Sequence, residues 1–351
     1  MSKKPLSQQA QTFHEAALVW DSTFPFFNNY LFSTVLSGAT VEQADSCYQS
    51  LERFRNAGVN CVSLTIAGAR SNISFTLSKI AQCLAFIRAN EDKYKLVKRV
   101  EDIQVARDLE KLAVSFNFQG IDSLESNLDM VEIYYQLGIR HMLLAYNTQN
   151  IAGTGCQVKD DTGLSHFGRS LVGEMNRVGM IVDASHTGYR TTMDIFEHSS
   201  APVIFSHSNP YTLRPHGRNI KDDQIQACAQ SGGVIGVVGF DDLLPGGKPT
   251  VEAMIQAVDY LVEKAGPDHV GIGLDWVYCP ELFRDIQKAG RDIYPSSGNN
   301  PDGEYQTEAE GVPPEALSLF TQGLMDKGYC EADIRKILGE NWLRVAREVW
   351  K

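Results

Sequence analysis

The sequence lacks the features that mark membrane-spanning, secreted and nucleic-acid-binding proteins. Its 351 residues contain no run of about 18 apolar residues, so we expect no membrane span. The first residues, MSKKPLSQQAQTF, have no apolar region after the lysines, which argues against a signal peptide. The formal net charge of -11 is spread along the chain without a block of one sign, and this disfavours nucleic acid or an anionic membrane as a partner.

Several signatures of other chemistries are absent as well. The seven cysteines are scattered and never form a Cys-x-x-Cys pair, which is typical of reduced thiols in a cytoplasmic protein and not of a disulfide framework or a cysteine-based zinc site. No Gly-x-Gly-x-x-Gly follows the first apolar run, so a dinucleotide site is disfavoured. No Gly-x-Ser-x-Gly motif is present, which disfavours the serine nucleophile of an α/β-hydrolase.

What the sequence does contain is an alternation of short apolar runs and helical patterns. Eight near-continuous apolar runs are typical of parallel strands that are buried on both faces: 17–21, 60–66, 112–119, 140–146, 180–186, 202–207, 234–240 and 269–275. A ninth run, 94–100, is more polar and is predicted to be a loop or a minor strand. Eight strand-then-helix units predict an α/β fold, a closed (β/α)8 or TIM barrel, with an open doubly wound sheet as the alternative.

The same pattern suggests how the chain is organised. We expect a single barrel domain over residues 1–351, since one barrel commonly uses about 250 residues or more. A stretch rich in Gly, Pro, Asn and Ser at about 281–314 is predicted to be a loop insertion over the barrel mouth. Helical spacing of apolar residues returns at about 331–350 and predicts a docked C-terminal helical segment.

Polar residues close six of the eight apolar runs, and catalytic groups of a barrel lie at the carboxyl ends of its strands. These residues are Asp21, Gln119, Tyr146, His186, His207 and Asp275. The histidines end successive strands, and neighbouring strands lie about 4.8 Å apart, so both imidazoles could bind one metal ion. The alternative is two histidines that hydrogen-bond locally.

Asp275, one of these six residues, and Arg218, which is not, are further candidates for roles in the site. Asp275 could ligate a metal or act as a general base, or it could cap the next helix. Arg218 lies in the loop after the sixth run, where its guanidinium could bind a carboxylate with two hydrogen bonds. The alternative for Arg218 is an ion pair with Asp222 or Asp223 in the same loop region.

The remaining candidates are set aside on the same positional argument. Ser185 and Ser206 precede the two histidines, and alternation along a strand should point their side chains the opposite way. The other six histidines lie in loops or away from strand carboxyl ends, and we leave them out of the site: His14, His141, His166, His198, His216 and His269.

Taken together, these motifs resemble the renal (membrane) dipeptidase family of metallopeptidases. The resemblance is carried by GEMNRVGMIVDASH at 173–186, APVIFSHS at 201–208, GRN at 217–219 and GIGLD at 271–275, with YQLGIR at 135–140 and GENW at 339–342. It extends from about Leu18 to Trp350. It implies a (β/α)8 barrel related to the amidohydrolases, with two zinc ions bridged by a glutamate, that hydrolyses dipeptides with a free carboxylate. In that case His186 and His207 ligate the second metal, Asp275 transfers a proton and Arg218 meets the substrate.

The chain departs from the family pattern at four positions. The family's Asp-Gly-His-x-Asp segment here reads DSTFP at 21–25, which puts Thr23 and Pro25 where the first metal's ligands belong. Gln119 replaces the bridging glutamate, and Tyr146 replaces the substrate-binding histidine. Proline offers no ligand and glutamine carries no charge, so two zinc ions would lack most of their anionic ligands.

We therefore expect one divalent metal ion at most, a zinc at His186 and His207. Gln119, Asp21, Asp275 or water could complete its ligand shell. The predicted function is a metal-dependent hydrolase of a small amide or dipeptide-like substrate with a carboxylate, which Arg218 and Tyr146 would bind. A catalytically silent or repurposed small-molecule-binding barrel and a mononuclear lyase or isomerase are the alternatives. The expected partner is a small molecule, with no nucleic acid and no membrane, and association into a homo-oligomer is left open.

Overall fold

The computed structural model describes residues 5–25, 41–290, 292–294 and 308–351. In this part of the chain it has nine strands: Trp20–Phe24 (β1), Cys61–Gly68 (β2), Tyr94–Leu96 (β3), Leu112–Gln119 (β4), Ile139–Leu143 (β5), Ile181–Asp183 (β6), Val203–Ile204 (β7), Ile235–Val237 (β8) and Val270–Ile272 (β9). The first helices are Gln8–Ala16 (α1), Val41–Asn56 (α2), Ile73–Ala89 (α3), Glu101–Asp108 (α4), Asp129–Gln136 (α5), His166–Val178 (α6) and Tyr189–His198 (α7). The later ones are Asp222–Gln230 (α8), Val251–Ala265 (α9), Pro280–Ala289 (α10), Leu317–Asp326 (α11), Glu331–Arg335 (α12) and Asn341–Val349 (α13).

Eight of the strands form a nearly closed parallel barrel, as the sequence predicts. Their order is β7-β6-β5-β4-β2-β1-β9-β8, and each neighbouring pair is parallel. The ring closes between β7 and β8 through a single parallel bridge, Phe205 with Ile235. The remaining strand, β3, pairs only with the first half of β4, which matches the minor strand predicted from its polar sequence.

Several strands are shorter than their apolar runs because side chains replace the backbone partners at their ends. The clearest case is β7, which covers two residues of the run 202–207. Beyond it, the amide of Ser206 donates to Asp183 Oδ1 at 3.1 Å, and the amide of His207 donates to Ser185 Oγ at 3.2 Å. The backbone is therefore freed from sheet geometry at the point where the polar side chains begin.

The amino ends of the strands are covered by the C-terminal helices. A π-helical turn, Lys336–Glu340, joins α12 to α13. Trp342 Nε1 donates to the carbonyl of Ile272 at 3.1 Å, and Trp342, Val345 and Val349 pack against the first residues of several strands. One end of the barrel is thus plugged, and the open end is the one at the strand carboxyl ends.

Two further features concern the segment after β9 and the surface. The first part of the stretch predicted as a loop insertion, about 281–314, is helical, because α10 covers Pro280–Ala289 and begins with a proline, which suits the first turn of a helix. Residues 291 and 295–307 of that stretch lie outside the described part. Within the described part, no helix is both long enough and apolar enough to cross a membrane.

The closure of the barrel between β7 and β8, here called the seam, provides a test of stability. A Cβ at Gly236 would lie 2.1 Å from the carbonyl oxygen of Ser206, whereas one at Gly173 in α6 would meet nothing within 4 Å. We expect Gly236→Ala to destabilise the protein by about 1–3 kcal/mol or more, because the backbone across the seam must shift. Gly173→Ala should be neutral or stabilising by up to about 1 kcal/mol, since alanine favours the helix. Chemical denaturation of both variants measures this, and equal unfolding midpoints would contradict the role of the seam.

Candidate active site at the carboxyl ends of the strands

The centre of the candidate site is a pair of imidazoles. His186 follows β6 and His207 follows β7, and their Nε2 atoms lie 2.9 Å apart. Both rings are buried. His186 has a φ of +63°, a left-handed conformation that a non-glycine residue seldom adopts outside tight turns and functional sites. The structure therefore brings together the two histidines that the sequence singles out.

Neighbouring groups fix the protons of this pair. His186 Nδ1 lies 2.7 Å from Asn147 Oδ1, an acceptor, so Nδ1 carries the proton. The Ser206 hydroxyl donates to Asp183 Oδ2, so its oxygen accepts from His207 Nδ1, 2.7 Å away. With both protons on Nδ1, the two Nε2 lone pairs point at each other. Two lone pairs that face each other repel, and a cation bound between the two nitrogens would remove this repulsion. Hydrogen bonds at Nδ1 are also the usual way in which metal-ligating histidines are oriented.

The charge environment of the pair keeps both rings neutral. Burial, together with the positive charge of Arg218, holds the pKa of His186 and of His207 well below the usual histidine range. Although burial by itself would raise it, the contact with His141 and its charge, together with a hydrogen bond from the Ser206 hydroxyl, hold the pKa of Asp183 well below its usual range. Asp183 is thus an anchored anion behind the histidines.

From Asp183, a line of polar side chains crosses the barrel interior: His141 lies within ion-pair distance of Asp183, and hydrogen bonds join His141 to the residues beyond it. His141 Nδ1 lies 3.4 Å from Asp183 Oδ2, and its Nε2 lies 3.1 Å from Ser63 Oγ. Asn117 Nδ2 donates to the same Ser63 oxygen at 3.0 Å, and Thr65 Oγ1 donates to Asn117 Oδ1 at 3.0 Å. These side chains come from β2, β4 and β5, so the position of the imidazoles is tied to the opposite wall of the barrel.

Tyr146 packs directly on the histidine pair. Its ring is stacked on His186, with centroids 4.0 Å apart and an angle of 21° between the planes. Its hydroxyl lies 3.2 Å from the hydroxyl of Tyr294. Tyr146 therefore lines one side of the site and places its phenol group near the histidines.

Arg218 lies next to the pair and is almost fully buried, with 4% of its surface exposed. Its Nη2 donates to the carbonyl of His207 at 3.0 Å. Within the described residues its guanidinium has no carboxylate within ion-pair distance; Asp222 instead contacts Tyr260, and Asp223 contacts Tyr189. Arg218 lines a cavity of about 270 Å³ together with His186, Cys156 and His216. The sequence alternative, an ion pair with a loop acid, is thus not what the structure contains.

Asp275 follows β9 and is connected to His207 through Thr23. It has a left-handed φ of +53°, and its amide donates to the carbonyl of Thr23 at 3.2 Å, while Thr23 Oγ1 lies 3.4 Å from His207 Nδ1. Burial raises the pKa of Asp275 to about 6, and the charge of Arg218 opposes that rise. A carboxyl with a pKa near neutrality is suited to exchanging protons.

The positions at which the family's first metal would be bound carry uncharged residues here, among them Pro25 and Gln119. Gln119 Nε2 donates to Thr65 Oγ1 at 3.3 Å, and Gln119 and Pro25 line one cavity with Tyr146 and Asp275. Asp21 is fully buried, and its Oδ1 accepts from the amides of Thr23 and Leu274 at 3.2 and 3.0 Å. These bonds tie β1 to the segment after β9, which is the role of a structural anchor. Burial raises the pKa of Asp21 to about 7, and its Oδ2 has no hydrogen-bond partner in the described part of the chain.

The sequence reasoning missed several residues of this site. Ser206 does not point away from His207 but hydrogen-bonds to it, because β7 has already ended and strand alternation no longer applies. Asn147, Asp183 and His141 orient the histidines, and His216 lines the cavity of Arg218. Of these residues, Asp183 could have been predicted from the sequence, because it is a charged residue in the same IVDASH run as His186. Ser206 is fully buried, so it orients His207 and does not reach a substrate.

The described residues contain no group of three or more His, Cys, Asp or Glu side chains that could hold a metal ion. The candidate metal centre therefore offers two imidazole ligands from the protein. Oxygen from Gln119, water or substrate would have to supply the others.

Comparison with known proteins agrees with this architecture. The sequence pattern of the membrane dipeptidase family, peptidase family M19, matches residues 8–291. An uncharacterized dipeptidase of Schizosaccharomyces pombe is 33% identical over 224 residues, which are 62% of this chain and 54% of that protein. The dipeptidase tcpJ of Claviceps purpurea is 29% identical over 263 residues, 74% of this chain and 56% of that protein. The chain thus spans about half the length of these curated relatives.

A solved structure matches nearly the whole chain. The crystal structure of an amidohydrolase from Pseudomonas aeruginosa superposes with a TM-score of 0.82 at 29% identity, covering 97% of this chain and 99% of that one. The probable dipeptidase PvdM from the same organism superposes with a TM-score of 0.76 at 21% identity, covering 97% and 98%, and it shows the fold alone.

The serine that links Asp183 to His207 provides a test of this buried line of polar side chains. Ser206→Ala removes the hydroxyl and leaves His207 Nδ1 without its nearest partner, so we expect unfolding to become easier by about 1–3 kcal/mol. Ser170→Ala is the control, because Ser170 is exposed on α6 and should change stability by less than about 0.5 kcal/mol. Urea unfolding of the two variants compares them. A Ser206→Ala variant as stable as the parent would show that the line of polar side chains does not hold the site.

Proposed function

The chain belongs to the membrane dipeptidase family of peptidases, family M19, and from that membership we propose that it is a metal-dependent hydrolase. The proposed substrate is a small, dipeptide-like amide that carries a carboxylate. The observation that carries the proposal is the convergence of the two imidazole Nε2 atoms, 2.9 Å apart, beside Asp275 and Arg218. The six cysteines whose side chains the structure describes are unpaired, and reduced thiols are consistent with the cytoplasmic location that we propose.

The residues present fit one metal ion better than two. Both imidazoles carry their protons on Nδ1, so two nitrogen lone pairs are available for one ion at His186 and His207. Thr23, Pro25 and Gln119 supply no negative charge where a second ion would lie, and a pair of divalent cations without anionic ligands is electrostatically unfavourable. Zinc is the metal proposed, since it accepts two neutral imidazoles with oxygen ligands.

The protein groups divide the reaction among them. When bound, the zinc would polarise the scissile carbonyl and lower the pKa of a water molecule. Arg218 binds the substrate carboxylate, because its guanidinium faces the cavity with donors that no described acid occupies. Asp275 takes a proton from the attacking water and delivers one to the leaving amine, for which its raised pKa is suited. The Tyr146 hydroxyl donates a hydrogen bond to the carbonyl oxygen.

The alternative function is a barrel that binds a small molecule without cleaving it. The absence of a third protein ligand among the described residues favours it, because a weakly held metal would be lost easily. Release of amine from an amide substrate by zinc-loaded protein separates the two. Binding of the amide without its hydrolysis would favour the barrel that only binds a small molecule.

Metal content tests the proposed centre directly. We expect protein purified without chelator, or reloaded with zinc, to hold at most one zinc ion per chain by elemental analysis. His207→Ala should abolish zinc binding and hydrolysis, because one of two protein ligands is lost. His166→Ala is the control, since His166 is the exposed first residue of α6. Two tightly bound zinc ions per chain, or full zinc content in the His207→Ala protein, would contradict the assignment.

Substrate recognition gives a second test. Arg218→Lys should lower kcat/KM for a substrate with a free carboxylate by roughly 10- to 150-fold, the equivalent of about 1.5–3 kcal/mol for a charge-assisted hydrogen bond, because an ammonium does not reproduce the two-pronged guanidinium. The same substrate with its carboxylate converted to an amide is the control, and with it parent and variant should react alike. Equal losses for both substrates would show that Arg218 acts on the fold and not on the carboxylate.

A further inference from the structure

An apolar cavity adjoins Asp275, and Arg218 is not among the described residues that line it. Its volume is about 130 Å³, enough for a small organic group and not only a single water. The large apolar side chains that line it are Ile66, Phe75, Val277, Phe283, Ile286 and Ile293. Pro25 and Gln119 lie in the same wall, so the cavity reaches the positions at which the family's first metal would be bound.

The charges around this cavity do not suit a cationic ligand. Among the described lining residues Asp275 is the single carboxylate, whereas Arg70 and Lys79 are basic. Arg70 forms an ion pair with Asp292. Gln119 uses its Nε2 on Thr65, so the group it leaves for a ligand is Oε1, an uncharged acceptor. An ammonium placed here would lose its water and find only Asp275, which the proposed reaction needs for proton transfer.

We propose that this cavity binds the acyl part of the substrate as an uncharged, apolar group, so that the protein cleaves N-acyl amino acids in preference to zwitterionic dipeptides. This inference rests on the proposed function. In the reaction, water supplies oxygen and one hydrogen to the acyl carbon, the C–N bond breaks, and the nitrogen takes the other hydrogen. The products are a carboxylic acid with an apolar chain and a free amino acid, whose carboxylate lies at Arg218 throughout.

Two compounds that differ in one group test the proposal. N-(4-methylpentanoyl)-alanine has the shape of leucyl-alanine with hydrogen in place of the α-ammonium. Both are offered to zinc-loaded protein, with L- and D-alanine as the amine part, at a pH where the dipeptide is charged. We expect the acyl compound to bind at least about tenfold more tightly by calorimetry, and to be cleaved with a correspondingly higher kcat/KM.

Gln119→Glu should weaken or remove the preference for the acyl compound. The change is nearly isosteric and puts an anion into the cavity wall, where it can pair with the dipeptide's ammonium. We expect the ratio of affinities to shift by about tenfold or more toward leucyl-alanine. Gln226→Glu is the matched control, because it adds the same charge at an exposed position of α8 and should leave the ratio unchanged. Melting temperatures of the free variants establish that both are folded.

The outcomes separate this inference from the proposed function. Cleavage of both compounds without preference, or a tighter fit of leucyl-alanine to the parent protein, overturns the inference while the hydrolase assignment stands. Preferential binding of the acyl compound without cleavage of either supports the assignment of the cavity as the acyl-binding site, and it overturns the hydrolase assignment together with the proposed cleavage. Failure of the acyl compound to bind, or an unchanged ratio of affinities in Gln119→Glu, also overturns the inference.

Discussion

The position of the site depends on one buried anion, Asp183. A buried carboxylate must be compensated by hydrogen bonds or positive charge. Asp183 accepts hydrogen bonds from the amides of Ser185 and Ser206 and from the Ser206 hydroxyl, and His141 Nδ1 lies within ion-pair distance of it. Because these partners come from three strands, satisfying the anion fixes β5, β6 and β7 relative to one another. The same bonds place the proton of His207 on Nδ1, so the lone pair of its Nε2 is available to a metal ion. The geometry of the candidate metal centre is thus a consequence of how one buried charge is satisfied.

The barrel positions the rest of the site by ending its strands early. At the carboxyl ends of β5, β6 and β9 the chain enters left-handed conformations at Asn147, His186 and Asp275. Such conformations cost of order 1–3 kcal/mol for residues other than glycine, and they persist only where surrounding contacts impose them. Here the contacts are those that the site uses. The opposite end of the barrel, plugged by Trp342 and the C-terminal helices, carries stability and leaves the open end for chemistry.

The substitutions at the first-metal positions change the electrostatics of one half of the mouth. A site with two cations needs several carboxylates, whereas Thr23, Pro25 and Gln119 supply none. The space next to them is lined by Ile66, Val277, Phe283 and other apolar groups. The mouth is therefore divided into a polar half around Arg218 and an apolar half beside Asp275, with the stacked rings of Tyr146 and His186 between them.

The sequence by itself determined the alternation of buried strands and helices, because burial on both faces of a parallel strand requires near-continuous apolar runs. It also determined that polar groups gather at one end, since Gln119, Tyr146, His186, His207 and Asp275 follow those runs. It could not show where each strand stops, as β7 demonstrates, because that depends on side chains from other strands taking over the hydrogen bonds. For the same reason it missed Ser206 and Asn147, whose roles exist only once His207 and His186 face each other. Only the tertiary structure decided that Arg218 lacks an acidic partner in the described chain and that an apolar cavity adjoins Asp275, because both depend on distances between segments far apart in sequence.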